Sequence, residues 1–348
     1  MAAPNNNDLS QTLEGRAKAG DLAGVARLLA QGANSRDEAS KALETAAEHG
    51  HAECVNILIH ASDPKARLSL ALRRAASNGH AECVKLLIPV SNPEAGDSCA
   101  LYTAARAGHA ECVKILIPSS NPKASHGIAL RMAASNGHAE CVGLLIPVSD
   151  PKNENSWALR HAAENGRAEC VKLLIPVSDP KAENSCPLYL AARHGHADCV
   201  KLLLPVSDPK ANDSLALRWA ADNGYAECVK LLIPVSNPNA VASYALRWAA
   251  YGEHIECVKL LLPVSTPLIE TEDILAEVLG RGHADVLSIM LDHEPLLLAH
   301  MDLAASLDAA VAKDHADLQS LLRSIIEQQD LDVHVSLSNA ATHKPSRL

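Results

Sequence analysis

The stretch Leu215-Ala-Leu-Arg-Trp-Ala-Ala-Asp-Asn-Gly224, then Tyr225-Ala-Glu-Cys-Val-Lys-Leu-Leu-Ile233, then Pro234-Val-Ser-Asn-Pro238, decides the fold. In its first part Leu217, Ala220 and Ala221 fall at i, i+3 and i+4, one face of a helix. Ser214 stands at the position of an N-cap. Asn223-Gly224 ends the helix, because glycine enters the left-handed conformation of a C-terminal cap at no steric cost. The second part repeats the pattern with Cys228, Val229, Leu232 and Ile233 on one face. Pro234 stops or kinks it, having no N–H to donate. Asn237-Pro238 then opens a turn, or caps a longer following helix. The unit reads as two short antiparallel helices.

Working outward, the same string returns at a fixed interval. Cys54, Cys83, Cys112, Cys141, Cys170, Cys199, Cys228 and Cys257 are spaced by 29 residues, and Gly50 to Gly224 and Leu72 to Leu246 keep the same interval. Self-similarity at such a period marks a solenoid or array. A leucine-rich repeat has a similar period, but its Leu-x-x-Leu-x-Leu string and strand are missing, and the helical periodicity is strong in both halves of the unit. Of the 348 residues 48% are hydrophobic, yet only 2% are aromatic and Phe is absent. The core must be Ala, Leu, Ile, Val and Cys, which suits thin layers of closely stacked short helices.

The formal net charge is -10. Without a basic stripe such a chain is a poor grip for phosphate backbones or anionic membrane surfaces, so neither nucleic acid nor membrane is expected as a partner. No run of 18 apolar residues suggests a membrane span. The polar, Asn-rich start lacks the basic and apolar regions of a secretory signal. A cytoplasmic protein is expected.

The string Ala-Ala-x-x-Gly-His-Ala-Glu-Cys-Val-Lys-Leu-Leu-Ile, at Ala75–Ile88 and with Gly143 for the Lys at Ala133–Ile146, resembles the core of the ankyrin repeat. The first unit, Ala17 to Asn34, keeps the Gly-Ala-Asn that follows the second helix in that family. Degenerate copies at Gly282-His-Ala-Asp-Val-Leu and around Leu307–Leu322 extend the match. The resemblance implies an all-α, ankyrin-like helix-turn-helix solenoid over residues 12–325, about eleven units with a degenerate cap from about 266, between polar tails 1–11 and 326–348. Ankyrin repeats run about 33 residues; here four are missing where the family carries its β-hairpin, so the fingers are expected to be truncated or absent. Plain arrays of this kind occur in bacteria, some as effectors delivered into host cells and some as toxin inhibitors.

The periodic residues read mainly as structure. Stacked helices repeat about 8–10 Å apart, too far for a disulfide, and no Cys-x-x-Cys metal pair exists, so the cysteines read as buried free thiols and neither metal nor cofactor is expected. His51, His80, His109, His138 and His196 give way to Arg167 and Tyr225 in the same column, as a catalytic base would not. Glu82/Lys85 and their equivalents read as a solvated face with weak pairs. The column Arg73, Arg131, Arg160, Arg218 and Arg247 has two readings, a basic row that meets an acidic partner or internal pairing with acids of adjacent units such as Asp222 and Glu164; the acidic balance of the chain favours the second.

The aromatics carry more. On an ideal helix Trp219 lies about 200° from Leu217, pointing away from the hairpin core. Trp157/His161 and Tyr244/Trp248 occupy the same columns, and five of the eight aromatics fall between Trp219 and Tyr251. In a stacked array this side of the first helices lines a concave face. Trp157, His161, Arg218, Trp219, Tyr244, Arg247, Trp248 and Tyr251 are therefore the candidate protein-binding residues, since Trp, Tyr and Arg dominate interface energetics; the alternative is that they pack on neighbouring repeats. No phosphate loop, nucleophile elbow or metal motif appears. The expected function is a monomeric, non-catalytic scaffold for a protein partner, with an architectural or self-associating array as the alternative.

Overall fold

The repeat at Ala211–Val235 shows how the sequence becomes structure. Its first helix, Ala211–Asp222, buries Ala216, Leu217, Ala220 and Ala221. Gly224 follows at φ +75°, and the second helix, Ala226–Leu232, buries Cys228, Val229 and Leu232. Pro234 tightens the end into a 3-10 turn, Ile233–Val235, and Asn237-Pro238 leads to the next first helix, Ala240–Tyr251. The computed structural model describes residues 12–32, 35–265 and 272–342. Among them are 22 α-helices and no strand. The hairpin fingers of longer repeats are absent there.

The missing loop is replaced by an unusual backbone. Asn212, Asp213 and Ser214 lie in the left-handed region at φ 48°, 55° and 59°. The same three columns are left-handed in six further repeats, among them Glu154–Ser156 and Val241–Ser243. Right-handed helix begins only after them. Ser214 therefore does not cap its own helix, as its position suggests. Its Oγ instead accepts the N–H of Asn237 in the next repeat at 2.8 Å. Asn92 on Ser69, Asn121 on Ser98 and Asp179 on Ser156 repeat the bond at 2.7–2.9 Å. A left-handed turn aims the hydroxyl forward to the neighbour, where it satisfies a donor that the Asx-Pro turn would leave bare.

The chain forms two compact units. Unit one comprises Met1–Ala191 with Asp198–Ser207, and unit two Ala192–Ala197 with Asp208–Leu348. Unit one opens with the helices Leu13–Ala19, capped by Thr12, and Leu22–Ala30, capped by Asp21. Arg36–Glu48 follows with a Ser35/Glu38 capping box and no left-handed segment. The expected polar tail 1–11 lies outside the described residues. In unit two the array continues through Glu272–Arg281, Ala284–His293 and Leu303–Ala312 to a final helix, Ala316–Thr342. That helix runs on through 326–342, the start of the stretch read as a polar C-terminal tail; 343–348 lie outside the described residues.

The histidine column locks repeat to repeat. His80, His109 and His138 each donate Nε2–H to the carbonyl of Glu48, Ser77 and Arg106 in the preceding first helix, at 2.9–3.1 Å. Arg167 reaches the carbonyl of Ser135 at 3.1 Å by its Nε. Each ring sits on a glycine: a Cβ on Gly108 would stand 2.5 Å from His138 Nδ1, and Gly108 is itself at φ +82°. Glycine is thus required twice there, for its backbone and for its missing side chain.

All ten cysteines are buried and free. Burial pushes the thiols of Cys83, Cys112, Cys141, Cys170, Cys228 and Cys257 up to about 11 from an ordinary 9.0. In the unfolded chain these thiols ionise first, so between the two values the unfolded state binds fewer protons and stability falls as pH rises. Their contribution is complete below pH 9.0 and is lost through about 11. We expect thermal melts followed by circular dichroism to weaken across that window. A Cys112→Ala/Cys141→Ala/Cys170→Ala variant should show a smaller loss; an equal loss would remove the thiols as its cause.

Val241 tests the left-handed turn. It is half exposed and β-branched at φ 53°, a conformation costing about 1–2 kcal/mol for an L-residue. Val241→Gly should stabilise the protein by up to about 1 kcal/mol in urea unfolding, whereas glycine in a right-handed helix interior costs about that much. A destabilised variant would argue against the left-handed backbone at this position.

Candidate functional site

The eight candidate residues fall into two groups. Trp157 and His161 belong to unit one; Arg218, Trp219, Tyr244, Arg247, Trp248 and Tyr251 belong to unit two. All eight are half-buried, neither free on the surface nor sealed in the core. The helical spacing that turns them away from Leu217 and its equivalents explains this: the small alanines take the inner positions and leave the larger side chains at the first-helix face.

In unit one Arg131 lies over the Trp157 ring, 3.9 Å from its centroid, and the His161 ring is 5.7 Å away on the other turn of the same helix. His161 Nδ1 is 3.2 Å from Glu164. Burial pulls the His161 imidazole below its usual value, with the Glu164 carboxylate acting in the opposite sense. Arg160 pairs with Glu183, 3.0 Å away.

In unit two the rings form a run. Tyr244 and Trp248 are 5.4 Å apart, and Trp248 and Tyr251 are 5.3 Å apart. These residues stand at i, i+4 and i+7, one stripe of the helix Ala240–Tyr251. Arg218 lies over Tyr244 at 5.1 Å and Arg281 over Tyr251 at 5.0 Å. Arg193 lies over Trp219 at 4.6 Å. Arg218 also donates to the carbonyl of Asn212 at 2.7 Å, clamping the left-handed turn of its own repeat.

Within the arginine column Arg131, Arg160 and Arg218 are held internally. Glu183 takes Arg160 and Glu164 turns to His161. For Arg131 and Arg218 the internal partner is an aromatic ring rather than a carboxylate. Arg131, Arg193 and Arg281 are additions that sequence reading missed. The signal was present: Arg131, Arg193 and Arg218 each precede their ring by one 29-residue repeat less about one helical turn. That offset gains meaning only once adjacent first helices are known to pack side by side.

Nothing in this arrangement resembles a reaction centre. Among the described residues no group of three or more His, Cys, Asp or Glu converges as metal ligands do. A groove of about 500 Å³ along the final helix is lined by Ala316, Gln319, Ser320, Arg323, Ser324 and Glu327. No helix among the described residues is long and apolar enough to cross a membrane.

The comparison with family models agrees with the repeat architecture. The family model described as ankyrin repeats (three copies) matches residues 72–155, 130–213, 159–242 and 188–273. Together these cover more than half of the chain, which therefore belongs to the ankyrin repeat family. Ankyrin repeats are in general non-catalytic protein-interaction scaffolds. Among solved structures 94 chains match. One is the crystal structure of the human ASB11 ankyrin repeat domain, 22% identical, covering 50% of this chain and 95% of that one with a TM-score of 0.43. No curated protein matches.

The stacked pairs have a measurable worth. A partly buried cation–π contact contributes about 0.5–2 kcal/mol. A double-mutant cycle of Arg193→Ala and Trp219→Ala, read by urea unfolding, should show coupling of at least about 0.5 kcal/mol. Additive effects would mean that the ring and the guanidinium merely lie near each other.

Proposed function

We propose that this chain is a non-catalytic scaffold that recognises a protein partner on its first-helix face, the side expected to be concave. The array spans 12–325, and its degenerate end from about 266 serves as the cap that keeps a stack soluble. Recognition centres on Trp219, Tyr244 and Trp248, with Arg218, Arg247 and Tyr251 beside them, and with Trp157 and His161 as a second contact group. The observation that carries the reading is the run Tyr244–Trp248–Tyr251 on one stripe of one helix, half-buried and braced by arginines from its neighbours. Bracing costs these side chains their rotamer freedom before any partner arrives, and pre-ordered aromatic and arginine side chains are what interface hot spots are made of.

The experiment compares the wild-type chain with Trp219→Ala/Trp248→Ala in affinity capture from source-cell lysate, with mass measured across a concentration series. The expected result is a monomer that retains one dominant protein. The double variant should lose that protein, by about 2 kcal/mol or more of binding, while helix content stays intact. Capture unchanged in the variant, with melting collapsed, would assign the rings to the stack. Self-association without a partner would assign the chain to an architectural role.

A further inference from the structure

We infer that the partner presents an acidic segment to the first-helix face of unit two, with carboxylates alternating with apolar residues; this rests on the proposed scaffold function and adds the partner's chemistry. The overall charge of -10 points the other way, toward a basic partner. The local distribution of charge overrides it. From Arg193 to Tyr251 the first helices carry Arg193, Arg218 and Arg247 against two acids, Asp213 in the left-handed turn and Asp222 at the far end. The lysines sit elsewhere. Lys230 and Lys259 are on the second helices, each three residues after a glutamate, and Lys259 pairs with Glu256 at 2.8 Å. The second-helix cations are thus matched locally, and the face of the first helices is left positive.

The state of the arginines supports the assignment. Arg193 and Arg218 meet no carboxylate; each is held instead over an aromatic ring, at 4.6 and 5.1 Å. A ring holds a guanidinium by its face and leaves N–H groups at its edge, which suit a carboxylate in bidentate geometry. Arg218 commits one such edge to the carbonyl of Asn212, whereas Arg193 is exposed. Arg281 is already paired, with Glu277 at 2.7 Å, and borders the site rather than serving it. The same arginines would repel a basic segment, and a desolvated like-charge contact costs several kcal/mol.

A peptide fits better than a nucleic acid. Phosphate backbones are gripped by many cations that release counterions together. Here the guanidiniums of Arg193 and Arg218 are interleaved with Trp219 and Tyr244, and the chain as a whole is acidic. Alternating cations and rings match alternating acids and apolar side chains.

The test uses the full chain and three fluorescein-labelled peptides of equal length. They share the same Leu and Tyr positions, and the remaining positions are all Glu, all Gln or all Lys. A single-stranded oligonucleotide is the fourth probe, and fluorescence anisotropy is the readout. The Glu peptide should bind at least about tenfold tighter than the Gln peptide, the Lys peptide should not bind, and affinity should fall with added salt. Arg193→Gln/Arg218→Gln should lose that preference. Arg193→Lys/Arg218→Lys, which keeps the charge, should lose less of it; equal losses in the two variants, both folded by circular dichroism, would overturn the inference. Should the Gln pair unfold, the wild-type comparison of Glu with Gln peptides still decides. Equal binding of those two peptides overturns the acidic partner and leaves the scaffold reading intact. So does a Glu peptide that fails to bind a chain still capturing protein through Trp219 and Trp248. Tighter binding of the oligonucleotide would overturn both and make the face a nucleic-acid surface.

Discussion

Everything in the array depends on alanine being small. Each of the eight first helices from Arg36–Glu48 to Ala240–Tyr251 presents an adjacent alanine pair, such as Ala104–Ala105, Ala133–Ala134 or Ala220–Ala221, and all of these are buried to zero exposure. With no side chain beyond Cβ, neighbouring first helices approach closely, and each hairpin buries one leucine from its first helix, such as Leu101 or Leu130, and one from its second, such as Leu116 or Leu145. A bulkier residue in the alanine columns would force helices apart along the whole stack, since interiors of this density do not absorb added volume. The lack of Phe and the few aromatics follow from the same constraint. The rings that exist are all displaced to the half-buried or exposed outer positions.

Close stacking requires a fixed register, and the short repeat sets it with backbone rather than with a hairpin. Three left-handed residues in a row are costly, at about 1–2 kcal/mol for each that is not glycine. The first repeats show which part of the device is constant. Arg36–Glu48 starts right-handed behind its capping box, yet Ser40 still accepts the N–H of Asp63 at 2.9 Å. The hydroxyl-to-amide bond between repeats is kept while the route of the chain varies. Gly127 stands where the serine should be and is at φ +73°; that repeat keeps the backbone and gives up the bond. Hydroxyl and left-handed turn are thus separable contributions to one register.

Most of the fold could be read in the sequence because it is local and repeated. Helix faces, the left-handed glycines, the buried thiols and the missing hairpin each follow from residue type and spacing within one unit. What escaped has its cause in a different unit. Ser214 looks like an N-cap when only its own helix is considered, and its true partner, Asn237, is in the next repeat. Arg193 looks like a surface residue until Trp219 is placed beneath it. His80 looks like turn decoration until the carbonyl of Glu48 is set in front of it. The candidate site was legible as a set of columns, but the bracing of its rings was not, because a column records what recurs along one helix and not what crosses between helices.

The second helices carry both signs of charge at close range, a local pattern that the net charge conceals. Second-helix carboxylates such as Glu82 and Glu256 stand three residues from a lysine and are neutralised at short range. Their field decays within about a Debye length, roughly 8 Å at physiological salt. Arg131, Arg193 and Arg218 on the first helices instead lie over rings, whose quadrupoles orient a cation without cancelling its charge. At contact distance the potential beside these guanidiniums is therefore positive, although the net charge of the chain is -10. Long-range and short-range electrostatics thus differ in sign at these side chains: the net charge sets the first, and the ring-held guanidiniums set the second.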